Sequence, residues 1–385
     1  MCNHKFSILA LLLLVFPASC SPEVAIDDPV KSKTIYSPAV SESTKSGFIQ
    51  NILTEIVNEG EAPGMVAAII SGEGVIAIGS AGERKAGSGI AFTTDDVVHL
   101  GSCGKAMTAT MLATLVAEGK LSWDISLIKA IPKLKDRIHP DYHHITLWQL
   151  LTHRAGIPKN PTDESAHRSK EIKARRLAIV VDNFQTPATY KINEFHYSNF
   201  GYIIAACMAE QITGLSWEEL MKQRLFDPLG MSTAGIGNPN INKSMDQPWG
   251  HQKYLWRWRP SEAYYGELIG PAGRVHCSLA DWAKFLSLQL TGENPILERK
   301  YLDKLIEPTG DYAAGWVVME YPWAKGVTLI HGGSNEIWYA SVLVIPKLDR
   351  AFLVATNSCD FSSTPNLCVE TANKMIRMEL NLGDK

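Results

Sequence analysis

The stretch that decides the fold is VVHLGSCGKAMTATMLATLVAEG, residues 97–119. An apolar run leads through Gly101 into a predicted helix that opens at Ser102 and continues to Glu118, with Gly119 placed to end it. Residues three apart on a helix share a face, so the Lys105 amine is expected beside the Ser102 hydroxyl. A serine becomes a nucleophile when a neighbour takes its proton, and a lysine with a lowered pKa can do so. The stretch therefore predicts a serine nucleophile with a lysine partner.

A second copy of the Ser-x-x-Lys pattern occurs at residues 126–129. It lies between Asp124 and Pro132, a turn-prone setting with no long helix to hold the pair together. The pattern alone is therefore weakly specific, and Ser102 is preferred because of its setting.

Two further motifs follow in the chain, Tyr197-Ser198-Asn199 and His331-Gly332-Gly333. A phenol can pass protons to and from a reacting group, and an amide can orient a lysine while it binds a substrate amide. A glycine pair lets the backbone lie against a substrate. Structural explanations remain open, since Asn199 also fits the N-cap of a helix predicted over 200–212 and a glycine pair often only makes a turn.

The order and setting of these motifs resemble the serine β-lactamase and penicillin-binding-protein superfamily, closest to its class C and esterase-like or D-aminopeptidase-like branch. The resemblance extends to residues 144–157, 227–231 and 270–281. It implies catalytic roles for Ser102, Lys105, Tyr197, Asn199 and His331. It also implies an oxyanion hole formed by the N–H groups of Ser102 and Ser334, with Gly332 and Gly333 beside the substrate. Either Lys105 or Tyr197 can serve as the base.

The third motif departs from the Lys-Thr-Gly that is typical of the superfamily, because a histidine stands in place of the lysine. An imidazole with an ordinary pKa near 6.5 is mostly neutral at pH 7, so His331 is expected to offer a substrate a hydrogen bond rather than a charge. An esterase or peptidase acting on esters, amides or D-amino-acid peptides is favoured. The alternatives are a true β-lactamase or D-alanyl-D-alanine carboxypeptidase, and a slow cell-wall-peptide binder.

The amino terminus resembles an export signal. Lys5 precedes the apolar run Phe6–Phe16, and Pro17-Ala18-Ser19-Cys20 supplies small residues for a cut. That run rises only about 16 Å as a helix, too short to span a bilayer. Residues 1–19 are therefore predicted to be a signal peptide, with either lipidation of Cys20 or ordinary cleavage near Ala18. The expected location is the periplasm, a lipoprotein anchor or the medium.

The rest of the chain predicts an α/β (α+β) fold. Residues 20–45 are expected to form a flexible tether and 46–385 the hydrolase domain. Strand-like runs near both ends predict an antiparallel sheet covered by terminal helices (about 46–98 and 271–385), and 99–270 predict a mainly helical second lobe. Two further predictions are structural: a buried, hydrogen-bonded His153, and Asp281 as a charge at a helix N-terminus.

Composition narrows the partners. With 385 residues, a net charge of −3 and no basic stripe, nucleic acid is not an expected partner. A small molecule or peptide is expected as substrate. No cysteine and histidine spacing predicts a metal site, and no cofactor is implied. The sequence leaves open the oligomeric state and whether Cys359 and Cys368 form a disulfide.

Overall fold

A six-stranded antiparallel sheet organises the structure, a computed structural model that describes residues 41–240, 242–262, 266–290 and 295–381. Its strands, in spatial order, are β2 (Gly74–Gly82), β1 (Gly64–Ser71), β11 (Arg350–Thr356), β10 (Tyr339–Ile345), β9 (Gly326–Ser334) and β8 (Val317–Tyr321). Strand β1, from near the beginning of the chain, pairs with β11, from near its end, in a register that sets Met65 opposite Thr356. The sheet therefore closes only when both ends of the chain are in place.

Both faces of this sheet are covered. Along β1, alternate residues Met65, Ala67 and Ile69 join one apolar cluster, which includes residues of helix α1 (Glu42–Asn58) and helix α11 (Thr364–Glu379). Val66, Ala68 and Ile70 join the other cluster, which continues into the central part of the chain. Burial on both faces explains why β1 is a continuous apolar run instead of an alternating one.

Most of the remaining helices come from the chain between β2 and β8. They are α2 (Gly104–Ala117), α3 (Leu127–Ala130), α4 (Leu147–Leu151), α5 (Ile172–Asn183), α6 (Asn199–Thr213), α7 (Trp217–Met221), α8 (Gly270–Gly273), α9 (Leu279–Leu290) and α10 (Arg299–Ile306). Helices α2 and α6 are buried along most of their length and pack against α8. Helix α9 contacts β1, β2, β10 and β11. Among the described residues, none of the helices is both long enough and apolar enough to cross a membrane.

Two small sheets complete the fold. One consists of β3 (Val98–His99), β7 (Val275–Cys277) and β4 (Gly235–Ile236). The other consists of β12 (Ser358–Cys359) and the hairpin of β5 (Gly250–Tyr254) and β6 (Arg257–Ser261). Because β3 leads into Ser102 and β7 follows α8, the first sheet joins two segments that meet at the candidate site.

The predicted fold class is confirmed, with two local corrections. Helix α1 begins at Glu42, inside the stretch predicted to be tether, because the Ser41 side chain accepts a hydrogen bond from the Thr44 N–H and caps the helix. Strand β8 was not predicted from the sequence. Residues 1–40, which carry the predicted signal peptide, Cys20 and most of the tether, lie outside the described residues.

Candidate active site

Ser102 lies in a single 3₁₀ turn, Gly101–Cys103, between β3 and α2. Gly101 has a φ of +51°, and a Cβ atom there would lie 2.3 Å from the Ser334 backbone nitrogen. Only glycine combines this conformation with so close an approach. The turn therefore brings Ser102 against the end of β9, which is where the third sequence motif lies.

Lys105 is fully buried one turn into the helical segment, and its Nζ has three oxygen neighbours. They are Ser102 Oγ at 3.0 Å, Asn199 Oδ1 at 2.8 Å and the Ala272 carbonyl oxygen at 2.6 Å. Burial lowers the pKa of Lys105 well below its ordinary value, with a smaller contribution in the same direction from the Lys159 charge. A neutral amine fits these neighbours, because two N–H groups donate to the amide and carbonyl oxygens and the lone pair accepts the Ser102 proton.

Asn199 is the first residue of α6, and its position is fixed from three sides. Ser198 caps the helix by accepting a hydrogen bond from the Gly201 N–H, so the expected alternative role of Asn199 as the N-cap is wrong. The Asn199 N–H donates to the Lys159 carbonyl oxygen, and Nδ2 donates to Asn160 Oδ1 at 2.8 Å. The amide oxygen is thereby turned toward Lys105.

Tyr197 places its ring beside the same amine, with Lys105 Nζ 4.9 Å from the ring centroid. Its hydroxyl is buried without a hydrogen-bond partner in the structure. Burial raises the pKa of Tyr197, opposed by the neighbouring Ser102 hydroxyl. Burial therefore favours the neutral form of both the phenol and the amine. This favours Lys105 over a tyrosinate as the group that takes the serine proton.

The end of β9 runs against the Ser102 turn in backbone contact. A Cβ atom on Gly333 would lie 2.1 Å from the Leu100 carbonyl oxygen and 2.6 Å from the Ser102 nitrogen. The next residue, Ser334, is tied back by its hydroxyl, which donates to the Trp338 carbonyl oxygen at 2.8 Å. The backbone nitrogens of Ser102 and Ser334 therefore both lie where the end of β9 meets the Ser102 turn, which is where the resemblance predicts an oxyanion hole.

His331 lies deeper than expected and does not present a nitrogen to a substrate. Its side chain is buried, with Nδ1 2.7 Å from the Gly332 carbonyl oxygen and Nε2 3.0 Å from the Tyr312 hydroxyl. A carbonyl only accepts, so Nδ1 carries the proton and Nε2 accepts from Tyr312. Burial lowers the pKa of His331 to about 3. The expectation of a neutral imidazole agrees with this pKa, whereas direct contact with substrate is replaced by a contact with Tyr312.

His153 is buried and hydrogen-bonded, as predicted for a structural histidine. Nδ1 accepts from the Ser198 N–H at 3.1 Å, and the ring lies 4.2 Å from that of Tyr197 and 4.6 Å from that of Tyr312. His153 therefore holds the second motif in place through a hydrogen bond and a ring contact. Asp281, in the first turn of α9 as predicted, also accepts hydrogen bonds from the backbone and hydroxyl of Thr233.

Sequence reasoning missed three contributors to the site: Tyr312, Asn160 and the Ala272 carbonyl. The segment containing Ala272 belongs to the resemblance, but no side-chain pattern signals that a backbone oxygen will bind a lysine. The Thr108 hydroxyl holds the same segment by donating to the Pro271 carbonyl oxygen at 2.8 Å. Short helix α8 thus serves as a fixed acceptor for Lys105.

The five cysteines within the described residues form no disulfide bond. Cys359 and Cys368 are buried free thiols, and the Ser334 hydroxyl lies 3.2 Å from Cys359 Sγ. Cys103, next to the nucleophile, is also buried, and burial raises its pKa, so it is a packed thiol and not a reactive thiolate. Within the described ranges, no group of three or more histidine, cysteine or acidic residues is arranged to hold a metal ion.

Comparison with known proteins agrees with this geometry. The family model described as Beta-lactamase matches residues 49–364. The chain is 28% identical over 302 residues to penicillin-binding protein 4 of Amycolatopsis lactamdurans, covering 70% of this chain and 74% of that protein.

Two solved structures share the fold. The octameric penicillin-binding protein homologue from Pyrococcus abyssi superposes with a TM-score of 0.72 at 24% identity, covering 87% of this chain and 77% of that one. A class C beta-lactamase from Rhodobacter sphaeroides gives a TM-score of 0.71 at 19% identity, covering 86% and 99%.

Proposed function

Because the chain belongs to the Beta-lactamase family and is thereby a hydrolase of this superfamily, we propose that Ser102 carries its reaction through an acyl-enzyme. The observation that carries the proposal is the 3.0 Å contact between Ser102 Oγ and the buried Lys105 amine, whose pKa burial lowers. A neutral base within hydrogen-bond reach of a hydroxyl is the requirement for activating a serine.

The proposed reaction has two halves. Ser102 Oγ attacks the substrate carbonyl carbon while its proton passes to Lys105 Nζ, and the N–H groups of Ser102 and Ser334 hold the oxyanion. The intermediate collapses when the bond to the leaving group breaks and that group takes the proton, delivered from Lys105 through the Tyr197 hydroxyl. Water then attacks the acyl carbon and gives its proton to the same pair. The bond between the acyl carbon and Ser102 Oγ then breaks, Oγ takes that proton from the pair, and the acid is released.

For the substrate, we propose uncharged esters or amides, including D-amino-acid peptides. The support is the replacement of the third-motif lysine by a histidine that is buried, neutral at pH 7 and committed to Tyr312 and Gly332. No permanent charge is then offered at this position to a substrate carboxylate. Instead, His331 orients the Tyr312 hydroxyl on the floor of the site.

One observation favours a second candidate, a true β-lactamase or D-alanyl-D-alanine carboxypeptidase. The exposed Lys159 is close enough to the site for its charge to lower the pKa of Lys105. Such a cation could meet a substrate carboxylate in place of the missing lysine. The third candidate, a slow cell-wall-peptide binder, is disfavoured because a neutral base already contacts the nucleophile.

Intact-mass spectrometry tests the nucleophile. After brief exposure to an activated ester, and separately to a penicillin, we expect an acyl adduct on wild type and on Ser126→Ala but not on Ser102→Ala. Ser126 is the matched control because it belongs to the second Ser-x-x-Lys copy, where Lys129 is exposed and Ser126 Oγ has no hydrogen-bond partner in the structure. An adduct that persists on folded Ser102→Ala contradicts the proposal.

A second measurement separates the substrate candidates. Lys159→Gln is expected to leave kcat/KM for a neutral ester nearly unchanged and, if the second candidate holds, to lower it selectively for cephalosporins. Wild type that hydrolyses cephalosporins far faster than esters would favour the second candidate.

Export also remains part of the proposal, supported by the sequence of residues 1–19.

A further inference from the structure

The tip of the β5–β6 hairpin presents three consecutive large apolar side chains to solvent. Tyr254, Leu255 and Trp256 are 60%, 70% and 77% exposed, whereas the other exposed large apolar side chains of the described residues reach only 37–43%. Scattered exposed apolar residues need no explanation, but three adjacent ones at a turn form a patch. Exposure of these side chains to water is energetically unfavourable, which indicates that a partner surface covers them.

The charge of the hairpin itself is positive, and Asp360, from outside it, lies 3.7 Å from Lys253. Residues 250–261 read GHQKYLWRWRPS and contain Lys253, Arg257 and Arg259 but no carboxylate, although the chain as a whole is acidic. Arg259 lies over the Tyr254 ring at 4.9 Å, and Lys253 lies over the Trp258 ring at 5.4 Å. Aromatic and aliphatic groups at a tip, with cations behind them, match the depth profile of a bilayer interface that contains anionic headgroups.

The base of the hairpin is buried and tightly packed, in contrast to its exposed tip. His251 is fully buried, with Nδ1 2.8 Å from the Asn357 carbonyl oxygen and Nε2 accepting from the Ala86 N–H at 3.0 Å. A Cβ atom on Gly250 would lie 2.6 Å from the Ile337 side chain, so the strand is packed tightly there. Exposure of the tip is therefore built into the fold and does not come from a loose loop.

We propose that this tip, Tyr254-Leu255-Trp256 with Lys253, Arg257 and Arg259 behind it, docks the protein on a membrane rich in anionic lipid. The apolar residues enter the interface and the cations contact the headgroups. Insertion is shallow, as in peripheral proteins. Tyr254, Leu255 and Trp256 have no part in the proposed reaction, so docking places the enzyme at a membrane without taking part in the chemistry.

The test is cosedimentation of the full chain with vesicles of phosphatidylglycerol and phosphatidylcholine, compared with phosphatidylcholine alone. We expect binding to the anionic vesicles that weakens at high salt. Tyr254→Ser/Leu255→Ser/Trp256→Ser should weaken it about 100-fold or more. Arg257→Gln/Arg259→Gln should weaken it about 30-fold, since each basic residue near the surface contributes about fivefold. The amino-terminal segment is common to all variants, so differences between them report on the tip.

Matched controls are Phe48→Ser and Ile90→Ser, which remove exposed apolar side chains elsewhere and should leave vesicle binding unchanged. Trp256→Phe, compared with wild type, should remove a fluorescence signal that brominated lipids quench. Vesicle binding equal in wild type and the tip variant overturns the proposal, as does no binding by wild type. A tip variant that loses hydrolysis of a soluble ester without vesicles, or changes the oligomeric state, also overturns it, because the tip would then cover the active site or another protein.

Discussion

Replacement of Gly333 by alanine is expected to damage catalysis through geometry alone. The added Cβ would lie 2.1 Å from the Leu100 carbonyl oxygen, 2.6 Å from the Ser102 nitrogen and 2.8 Å from the Cys103 nitrogen, all of them backbone atoms. Real Cβ contacts essentially never fall below 3.0 Å, so β9 and the Ser102 turn must separate by about 0.9 Å. No flexible side chain can absorb the shift.

The separation moves the Ser334 N–H away from the Ser102 N–H. A misplacement of about 1 Å at a reacting centre can cost about 100-fold, and loss of one oxyanion donor costs about 100- to 1,000-fold in kcat. We therefore expect kcat of Gly333→Ala to fall by about 100- to 1,000-fold, with KM changed less. The assay is steady-state hydrolysis of an activated ester by protein whose folded fraction is measured by circular dichroism and thermal melting.

Two further glycines make a graded series. Gly273→Ala would place its Cβ 3.2 Å from the Gly101 carbonyl carbon, a contact that small shifts relieve, and we expect a milder loss. Gly47→Ala has nothing within 4 Å and lies in exposed α1, so kcat should not change and the helix should gain about 1 kcal/mol. Wild-type kcat in folded Gly333→Ala refutes the reasoning. If Gly333→Ala does not fold, the reasoning is refuted by a wild-type kcat in Gly273→Ala together with a raised kcat in Gly47→Ala.

Three other predictions follow from the same site. Lys105→Ala and Tyr197→Phe should each slow single-turnover acylation by about 100- to 10,000-fold, and the double variant should be no worse than the poorer single, because the two groups act as one unit; additive losses would argue against a shared proton path. The preference for neutral esters over cephalosporins, as a ratio of kcat/KM, should stay constant between about pH 5.5 and 8, because the pKa of His331 is lowered to about 3; a ratio that moves with a midpoint near 6.5 would show a titrating imidazole. Burial also lowers the pKa of His99 to about 3 and of His251 to about 4, and lowers those of His153 and His276, so below pH 6.5 the unfolded chain takes up protons that the folded one does not. The free energy of unfolding should therefore fall as the pH is lowered from 6.5 towards 5, with up to about 1.4 kcal/mol per pH unit from each histidine that stays neutral. Urea unfolding should show a slope smaller by about that amount in His331→Gln, and an unchanged slope would count against a neutral buried His331.

The sequence predicted the parts of the fold that depend on local pattern. Strand-like runs near both ends of the chain were enough to predict the antiparallel sheet and the terminal helices that cover it. Strand β8 was missed because its five residues adjoin other buried apolar residues and show no alternation of their own. Its identity as a strand depends on pairing with β9, which is a tertiary contact.

The same limit applies to the candidate site. Helical spacing was enough to place Lys105 beside Ser102, and chain order was enough to bring in Asn199. The sequence could not show that the His331 nitrogens are hydrogen-bonded to Gly332 and Tyr312, because nothing in residues 310–314 marks Tyr312 as a partner. Burial decides the role of that histidine, and burial is set by the packing of β9 on its neighbours.

The pairing of β1 with β11 also has a kinetic consequence. Strand β1 is synthesised early, yet its partner β11 is about 290 residues further along the chain. The other four pairings of the sheet join strands that follow one another in sequence, so this one pairing of very long sequence separation limits completion of the sheet. Such pairings form slowly, because a long loop must close, at a cost in entropy, before the strands can make their contacts. A nascent chain of this protein therefore stays open until almost all of it has been made. That delay is compatible with the export proposed for this chain, because a polypeptide must be unfolded to pass through a secretion channel.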